Sequence, residues 1–270
     1  MEVYSHSKLS LYEMCPEAYK VKYIDRTFPE LPSSIHAFLG STVHSALENL
    51  YVELMGGKVL DLDEVIEYFA REWHDTYTLD IRVPAGENVE NFFNKGVKFL
   101  IDYYRSNLPF SKLTVEVEKK LWFPITDGVY ITGYIDRLEK HKDGSYEVHD
   151  YKTNGKMKEQ KEVDADRQLA FYHLGLQDLF GEDVRVKLTW HFLAHNKKVH
   201  SSRTKEQLDV LKNQTLALIG KIRNTTEWPA CGKPWCDWCA YKALHGVVNK
   251  SEGGGSRKVF TLNDSLSKWL

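Results

Sequence analysis

The sequence predicts an α/β fold with a helical insertion. Apolar residues recur at helical spacing through residues 7–108, and the period changes to two between residues 113 and 153. A helical pattern, a strand pattern and a second helical pattern follow this meander. A chain of 270 residues with 42% hydrophobic residues can bury a sizeable core.

Four helices are predicted in the first part of the chain. Segments 7–24 and 33–55 begin with serines, which are favourable N-cap residues. Pro16 lies inside the first of them and must bend or restart the helix, because proline has no N–H to donate. Segments 63–79 and 87–108 continue the helical spacing.

Alternating apolar and polar residues then predict three strands joined by tight turns. Asp127-Gly128 and Asp143-Gly144 are typical hairpin turns, so consecutive strands should pair antiparallel. The strands cover 113–125, 128–141 and 145–153, and they are followed by a helix over 164–181, a strand over 183–195 and a helix over 205–224.

Charge is distributed unevenly along a chain whose net charge is only −2. Residues 190–270 hold 13 lysines and arginines against 6 acidic residues, so residues 1–189 carry the negative balance. A basic segment suits phosphate backbones and acidic groups upstream could bind divalent cations, although a merely solvated surface would look the same. No apolar run reaches membrane-spanning length and no secretory signal opens the chain, so we expect a cytoplasmic protein without a membrane partner.

The meander carries the residues with the clearest chemistry. Asp150 and Lys152 are two apart on a predicted strand, so both side chains leave the same face. The Asp143-Gly144 hairpin can place Asp136 opposite Asp150, and two converging carboxylates favour a hard cation such as Mg²⁺ or Mn²⁺. An adjacent ammonium group would suit phosphodiester hydrolysis. The alternative is an ordinary surface ion pair, since Asp-x-Lys alone is a common pattern.

Four motifs in order resemble one enzyme family. "GYIDRL", "VHDYKT" and "RQLAFYHLGL" follow one another, with "FLGSTVHSALENL" upstream. This series resembles the RecB-like branch of the PD-(D/E)XK nuclease superfamily, and the similarity runs from about residue 4 to residue 240. It implies a restriction-endonuclease-like core, in which helices flank a mixed sheet, with an N-terminal helical insertion and a C-terminal iron–sulfur segment.

The resemblance implies a role for each matching residue. His44, Asp136 and Asp150 would bind the catalytic Mg²⁺ or Mn²⁺ together with the backbone carbonyl of Tyr151. Lys152 would orient and activate the attacking water. Many members have glutamate where this chain has Asp150, and the shorter side chain could shift the metal position or preference.

Two further residues match the Gln-x-x-x-Tyr motif of the family. Gln168 and Tyr172 are four apart, so on a helix they project from one face toward the same site. Alternative interpretations are structural: Tyr172 could belong to the core, and a lone helical histidine such as His44 is more often a packing residue than a ligand.

The four cysteines of the chain form a second candidate metal site. Cys231, Cys236 and Cys239 lie close in sequence, and the remaining cysteine is Cys15. Four thiolates suit either zinc or an iron–sulfur cluster, and spacing does not separate them. Disulfides are less favoured in an intracellular chain. The resemblance extends to the Cys-Pro pair that opens iron–sulfur members, and it implies a [4Fe–4S] cluster that joins the two ends of the chain.

The predicted organisation follows from these motifs. Residues 1–250 form a single RecB-like nuclease domain with a helical insertion at about 57–110. Residues 228–245 form the iron–sulfur segment and pack with residues 5–25. Residues 251–270 form a flexible linker and tail, because "SEGGGSRK" is typical of linkers. Trp235 and Trp238 next to the cysteines would shield the cluster or stack with a DNA strand.

The sequence thus predicts a metal-dependent DNA exonuclease that acts on single-stranded DNA or DNA ends in recombination, repair or CRISPR adaptation. No G-x-x-x-x-G-K-[ST] loop is present in the sequence, so a helicase or CRISPR adaptation proteins could serve as partners. The alternatives are a site-specific endonuclease of CRISPR adaptation or repair, and a non-catalytic DNA-binding iron–sulfur scaffold.

Overall fold

The computed structural model describes residues 1–233 and 235–245. Within them six strands form one mixed sheet, and helices cover both of its faces, which confirms the predicted α/β class. The elements are β1 (Glu2–Ser5), α1 (His6–Met14), α2 (Pro16–Tyr19), a π-helical turn (Lys20–Ile24), α3 (Ile35–Met55), α4 (Leu62–Thr76), α5 (Val89–Asn107), β2 (Thr114–Thr126), β3 (Val129–Lys140), β4 (Tyr146–Lys152), α6 (Gln160–Asp164), α7 (Arg167–Phe180), β5 (Val186–Phe192), a 3₁₀ turn (Leu193–His195), β6 (Lys197–Ser201), α8 (Lys205–Arg223) and α9 (Asp237–His245).

The strand β3 is the centre of the sheet. It pairs antiparallel with β2 along one edge. On its other edge the first residues pair parallel with β1 and the last residues pair antiparallel with β4. Beyond β4 come β5, which is parallel to β4, and β6, which is antiparallel to β5. The parallel β4–β5 pair requires a crossover, and α7 lies in that connection.

Both predicted hairpin turns are confirmed. Gly128 has φ 73° and Gly144 has φ 81°, a left-handed conformation in which a side chain would be strained. The predicted strand over 183–195 is shorter in the structure, because β5 ends at Phe192 and the chain turns through left-handed Asn196 with φ 48°. This turn forms the β5–β6 hairpin.

The sequence analysis did not predict β1 or β6. Both are short, at four and five residues, and neither has a clear alternation of buried and exposed side chains. The strand β1 depends on a parallel partner in β3 more than a hundred residues away, so no local pattern could indicate it. The strand β6 lies at the edge of the sheet, where only one side of its backbone is paired.

The predicted helix starts agree with the structure. Ser5 caps α1 by accepting a hydrogen bond from Lys8 N at 3.1 Å. Ser34 caps α3 in the same way, accepting from Ala37 N at 3.2 Å. Cys15 is extended, with φ −152°, and Pro16 begins α2, so the proline restarts the helix as predicted.

The helices α4 and α5 lie within residues 57–110 and pack against α3, at the place predicted for the helical insertion. Their apolar side chains and those of α3 share one cluster, distinct from the cluster that joins α1, α7 and α8 to the sheet. The boundary of a single domain at residue 250 stays a prediction, and the predicted tail over 251–270 lies outside the described residues. No helix in the described ranges is long and apolar enough to cross a bilayer.

Gly96 sets how closely α5 approaches its neighbours. A methyl group at this position would overlap the Phe69 ring of α4 and stand 3.0 Å from Leu39 Cδ1 of α3. Gly220 in α8 has no atom within 4 Å of the same methyl position. Both glycines are helical, but only Gly220 has room for a side chain.

We expect Gly96→Ala to lower the free energy of unfolding by about 1–3 kcal/mol, because the added methyl overpacks the contacts of α5 with Phe69 of α4 and Leu39 of α3. Gly220→Ala is the matched control and should raise it by about 0.5–1 kcal/mol, since alanine has the higher helix propensity. Urea denaturation of both variants measures these changes. Equal effects of the two substitutions would contradict the packing argument.

Candidate active site

Two acidic side chains meet where β3 and β4 leave their shared ladder. The last antiparallel pair joins Arg137 to His149, so the same register places Asp136 opposite Asp150. Beyond it Tyr151 N–H donates to Asp136 Oδ2 at 2.7 Å. Asp150 is 2% exposed. The hairpin thus brings both carboxylates to one place, as the sequence analysis proposed.

His44 reaches this place from α3. Its Nε2–H donates to the Tyr151 carbonyl oxygen at 2.9 Å, and its Nδ1 lies 3.5 Å from Asp136 Oδ2. Burial alone would lower the pKa of His44, but the hydrogen bond and charge of Asp136, with the charge of Asp150, raise it to about 9. The site therefore attracts positive charge.

A closed ring of polar contacts surrounds Asp150. Lys152 Nζ lies 2.6 Å from Asp150 Oδ2 and donates to Gln168 Oε1 at 2.9 Å. Gln168 Nε2 donates to Tyr172 Oη at 2.8 Å, and Tyr172 Oη donates to Asp150 Oδ1 at 2.9 Å. Burial would lower the pKa of Lys152, but the charge of Asp150 outweighs burial and raises it, so the ammonium stays charged. The ring orients both charged groups.

The sequence analysis did not single out Glu118, which the structure places in the same cluster. The register pairs Val117 with Arg137 and Lys119 with Ile135, so Glu118 stands across from Asp136. Its φ of 45° is strained for a residue with a side chain. Burial and the charge of Asp136 raise the pKa of Glu118 to about 7. A β-bulge between Pro124 and Thr126 shifts the register by one residue, so counting back from the Asp127-Gly128 turn would have placed Lys119 opposite Asp136 instead.

The oxygen and nitrogen atoms here fit a hard divalent cation. Ligand atoms of His44, Glu118 and Asp136 lie within 4.8 Å of one another. The Tyr151 carbonyl oxygen lies beside this group, where it accepts the hydrogen bond from His44 Nε2 at 2.9 Å. Asp150 Oδ2 is buried and has no hydrogen-bond partner besides its ion-pair contact with Lys152. The carboxylates and the carbonyl oxygen can accept a cation, and His44 can do so once a ring proton is lost.

A cavity of about 460 Å³ opens in front of these groups. Asp136, Asp150 and Lys152 line one part of it, while Leu121 and Phe171 contribute an apolar wall. The start of α1 also lines the cavity, through Ser5, His6 and Ser7. A polar end beside an apolar wall can hold a ligand that has both charged and flat apolar parts.

The four cysteines come together at the end of α1. Their Sγ atoms lie within 4.8 Å of one another, and no disulfide links them. Cys231 Sγ is 3.6 Å and Cys15 Sγ is 3.9 Å from Cys239 Sγ. Thiolates around one tetrahedral zinc stand about 3.8 Å apart, and four cysteine thiolates also hold iron–sulfur clusters. The four cysteines therefore meet as predicted, close enough to bind one metal group.

The two tryptophans near the cysteines differ in their exposure to solvent. Trp238 is 8% exposed and packs against Phe28, with ring centroids 5.6 Å apart, in the cluster that contains Cys15. Trp235 is 71% exposed. Lys242 forms an ion pair with Glu17 of α2 at 2.8 Å. Trp238 thus shields the thiolates, and Lys242 joins α9 to α2.

Comparisons with known proteins agree with this geometry. Over residues 3–244 the sequence matches the PD-(D/E)XK nuclease superfamily. The Gene 69 protein of Mycobacterium phage D29 is 25% identical over 244 residues, which cover 83% of this chain and 86% of the phage protein.

A solved structure supports the fold. It is that of a protein from Eubacterium rectale designated a candidate exonuclease, and it superposes with a TM-score of 0.53 at 12% identity. The superposition covers 98% of this chain and 93% of that protein. The sequence match spans nearly all of the described residues, and the mixed sheet with its converging carboxylates is the expected core. The chain belongs to the PD-(D/E)XK nuclease superfamily.

Proposed function

We propose that the protein is a Mg²⁺- or Mn²⁺-dependent DNA exonuclease that acts on single-stranded DNA or DNA ends. The observation that carries the proposal is the polar ring of Asp150, Lys152, Gln168 and Tyr172 beside His44 and Asp136. A nuclease needs an ammonium group and metal-binding carboxylates in one cavity, and these side chains all line it.

Each residue has a distinct role in the proposed reaction. His44, Asp136, Asp150 and the Tyr151 carbonyl would hold the cation, and Glu118 joins them. A bound Mg²⁺ or Mn²⁺ acts as a Lewis acid on the phosphodiester. These residues can all supply the oxygen or nitrogen atoms that such an ion accepts.

Lys152 acts on water and on developing charge. Its Nζ is held by Asp150 and Gln168, so it can orient a water molecule in the cavity without losing its position. The same ammonium opposes the negative charge that builds up on the phosphoryl oxygens in the transition state. Tyr172 fixes the orientation of Asp150 through its hydroxyl.

The substrate proposal rests on the hairpin of β2 and β3. Tyr134, which lines the cavity, is 52% exposed, and Trp122 nearby on the hairpin is 43% exposed. Lys120 Nζ lies 5.8 Å from the Trp122 ring. Exposed aromatic rings next to basic groups suit unpaired bases and their phosphates. The exonuclease designation of the Eubacterium rectale protein supports digestion from ends.

For the cysteine site we propose a [4Fe–4S] cluster, on the resemblance to iron–sulfur nucleases of the RecB-like branch. Zinc is the second candidate, because the Sγ separations of 3.6 and 3.9 Å match a single tetrahedral ion. Either group would join the end of α1 to α9. Recombination, repair or CRISPR adaptation, with a helicase or adaptation proteins as partners, is the proposed setting.

Removing the ammonium group of Lys152 tests the proposed hydrolytic activity. We expect Lys152→Ala to lower the rate of DNA hydrolysis on the order of 10²- to 10³-fold, because transition-state charge loses its partner. Lys156→Ala, which removes an exposed lysine of the following loop, is the matched control and should keep most of the activity. A single-turnover assay on labelled single-stranded DNA measures both rates. Equal rates for Lys152→Ala and the unaltered protein would exclude the proposed mechanism.

The same assay separates an exonuclease from an endonuclease. Linear single-stranded DNA should be degraded to short products, and circular single-stranded DNA of the same sequence should stay intact. Substrates labelled separately at each end give the direction of digestion. Cleavage of the circle would favour the endonuclease alternative.

A substitution of Glu118 tests whether this residue, which the sequence analysis missed, helps to bind the cation. We expect Glu118→Gln to raise the Mn²⁺ concentration needed for half-maximal activity by roughly 10- to 100-fold, because an amide binds a cation less well than a carboxylate. Glu116→Gln on the same strand, which pairs with Lys119 instead, is the control. An unchanged Mn²⁺ requirement in Glu118→Gln would remove Glu118 from the site.

The cysteine site is tested by colour, metal content and stability. Protein purified without oxygen should be brown and contain iron and sulfide, and a colourless protein with one zinc per chain would identify the second candidate. We expect Cys15→Ala and Cys236→Ala to lower the melting temperature by similar amounts, because either loss opens the connection between the two ends. If Cys15→Ala kept both metal content and melting temperature, Cys15 would not be a ligand.

A further inference from the structure

A third group of side chains of the types that bind metals lies on the other face of the sheet. Side chains alternate along β4, so Asp150 and Lys152 line the cavity while Glu147 and His149 point away from it. Glu147 contacts Thr189 and His149 contacts His191, both on β5. This face is separate from the candidate active site.

Two buried carboxylates face each other there. Glu139 and Glu147 are directly paired in the β3–β4 register, at 4% and 8% exposure. Like charges directly across a ladder repel, and burial strengthens the repulsion. Arg137 binds Glu139 Oε1, and Lys187, half exposed, lies 3.2 Å from Glu147 Oε1. Arg137, which is 3% exposed, and Lys187 offset part of this charge, and two histidines also face the carboxylates.

The distances between the carboxylate oxygens and the histidine nitrogens are longer than those of good hydrogen bonds and match the spacing of ligands around one metal ion. His141 Nε2 lies 3.5 Å from Glu147 Oε2, and His149 Nε2 lies 3.5 Å from Glu139 Oε2. Ligand atoms about 2.1 Å from a tetrahedral zinc stand about 3.4 Å apart. Ligand atoms of Glu139, His141 and Glu147 also lie within 4.8 Å of one another.

His149 provides an independent sign of a missing partner. It is 5% exposed, and its Nε2 has no hydrogen-bond partner although it faces Glu139 at 3.5 Å and Glu147 at 3.9 Å. Its Nδ1 lies 2.9 Å from His191 Nε2. Metal-binding histidines are typically oriented in this way, with one ring nitrogen held by a neighbour and the other directed at the ion.

We propose that Glu139, His141 and Glu147, with His149 directed at both carboxylates, form a third metal site, for a zinc-type divalent transition ion. Imidazole and carboxylate groups suit zinc, and three protein ligands leave one position of its tetrahedral shell for a further group. The site joins the last residues of β3 to the start of β4 across the Asp143-Gly144 turn. It therefore stabilises the hairpin that positions Asp136 and Asp150, and it takes no part in hydrolysis.

The experiment uses Zn²⁺ as the probe and the full chain with Asp136→Asn, which removes a ligand of the candidate active site. Protein is incubated with Zn²⁺ and exchanged into buffer with a weak chelator, and zinc per chain is measured by mass spectrometry. The Asp136→Asn protein is the parent, and it should hold one zinc ion per chain more than the same protein with His141→Ala added. The affinity for this zinc should fall by at least the roughly 10- to 100-fold that loss of a supporting residue costs.

Two further variants make the result specific. His74→Ala removes a histidine whose side chain is 92% exposed, and its zinc content should equal that of the parent. Glu147→Gln keeps the shape of the side chain and should lose the same zinc as His141→Ala. Added Zn²⁺ should raise the melting temperature of the parent and of His74→Ala, but not that of His141→Ala or Glu147→Gln. The proposal is overturned if His141→Ala, Glu147→Gln and the parent hold equal amounts of zinc per chain. It is also overturned if the parent holds no zinc other than zinc bound by the cysteines.

Discussion

The backbone of Tyr151 is the constraint on which the candidate site depends. Its N–H binds Asp136 of β3 at 2.7 Å, and its carbonyl oxygen accepts from His44 of α3 at 2.9 Å. One peptide segment thus joins two strands and a helix that are far apart in sequence. Because Asp150 and Lys152 flank Tyr151 on the same strand, their positions follow from this contact. A shift of β4 by one residue would turn both side chains away from the cavity.

The alternation of β4 gives the sheet two chemically different faces. Asp150 and Lys152 belong to the cavity, which is polar at one end and apolar at the other. Glu147 and His149 belong to a buried polar group that also contains Arg137. Buried charged groups are costly unless they are paired, so this group imposes a specific arrangement on the hairpin of β3 and β4. The hairpin is therefore held in register from both faces.

The helix α1 connects the cysteines to the cavity. This helix begins beside Ser5, which lines the cavity, and it ends at Cys15, where the four thiolates meet. Trp238 and the ion pair of Lys242 with Glu17 hold α9 against the same region. A metal at the cysteines would fix the far end of α1 and, through the helix, one wall of the cavity. No cysteine is among the described residues that line the cavity.

The sequence by itself determined the α/β class, the two hairpin turns, the restart of the first helix at Pro16 and the pairing of Asp136 with Asp150. These features depend on local spacing: a two-residue period, a glycine in a turn, or a register counted from that turn. The strand β1, the strained Glu118 and the buried face around His149 were decided only by tertiary structure. They depend on partners distant in sequence, and a lone glutamate or histidine looks the same in a solvated loop as in a buried cluster.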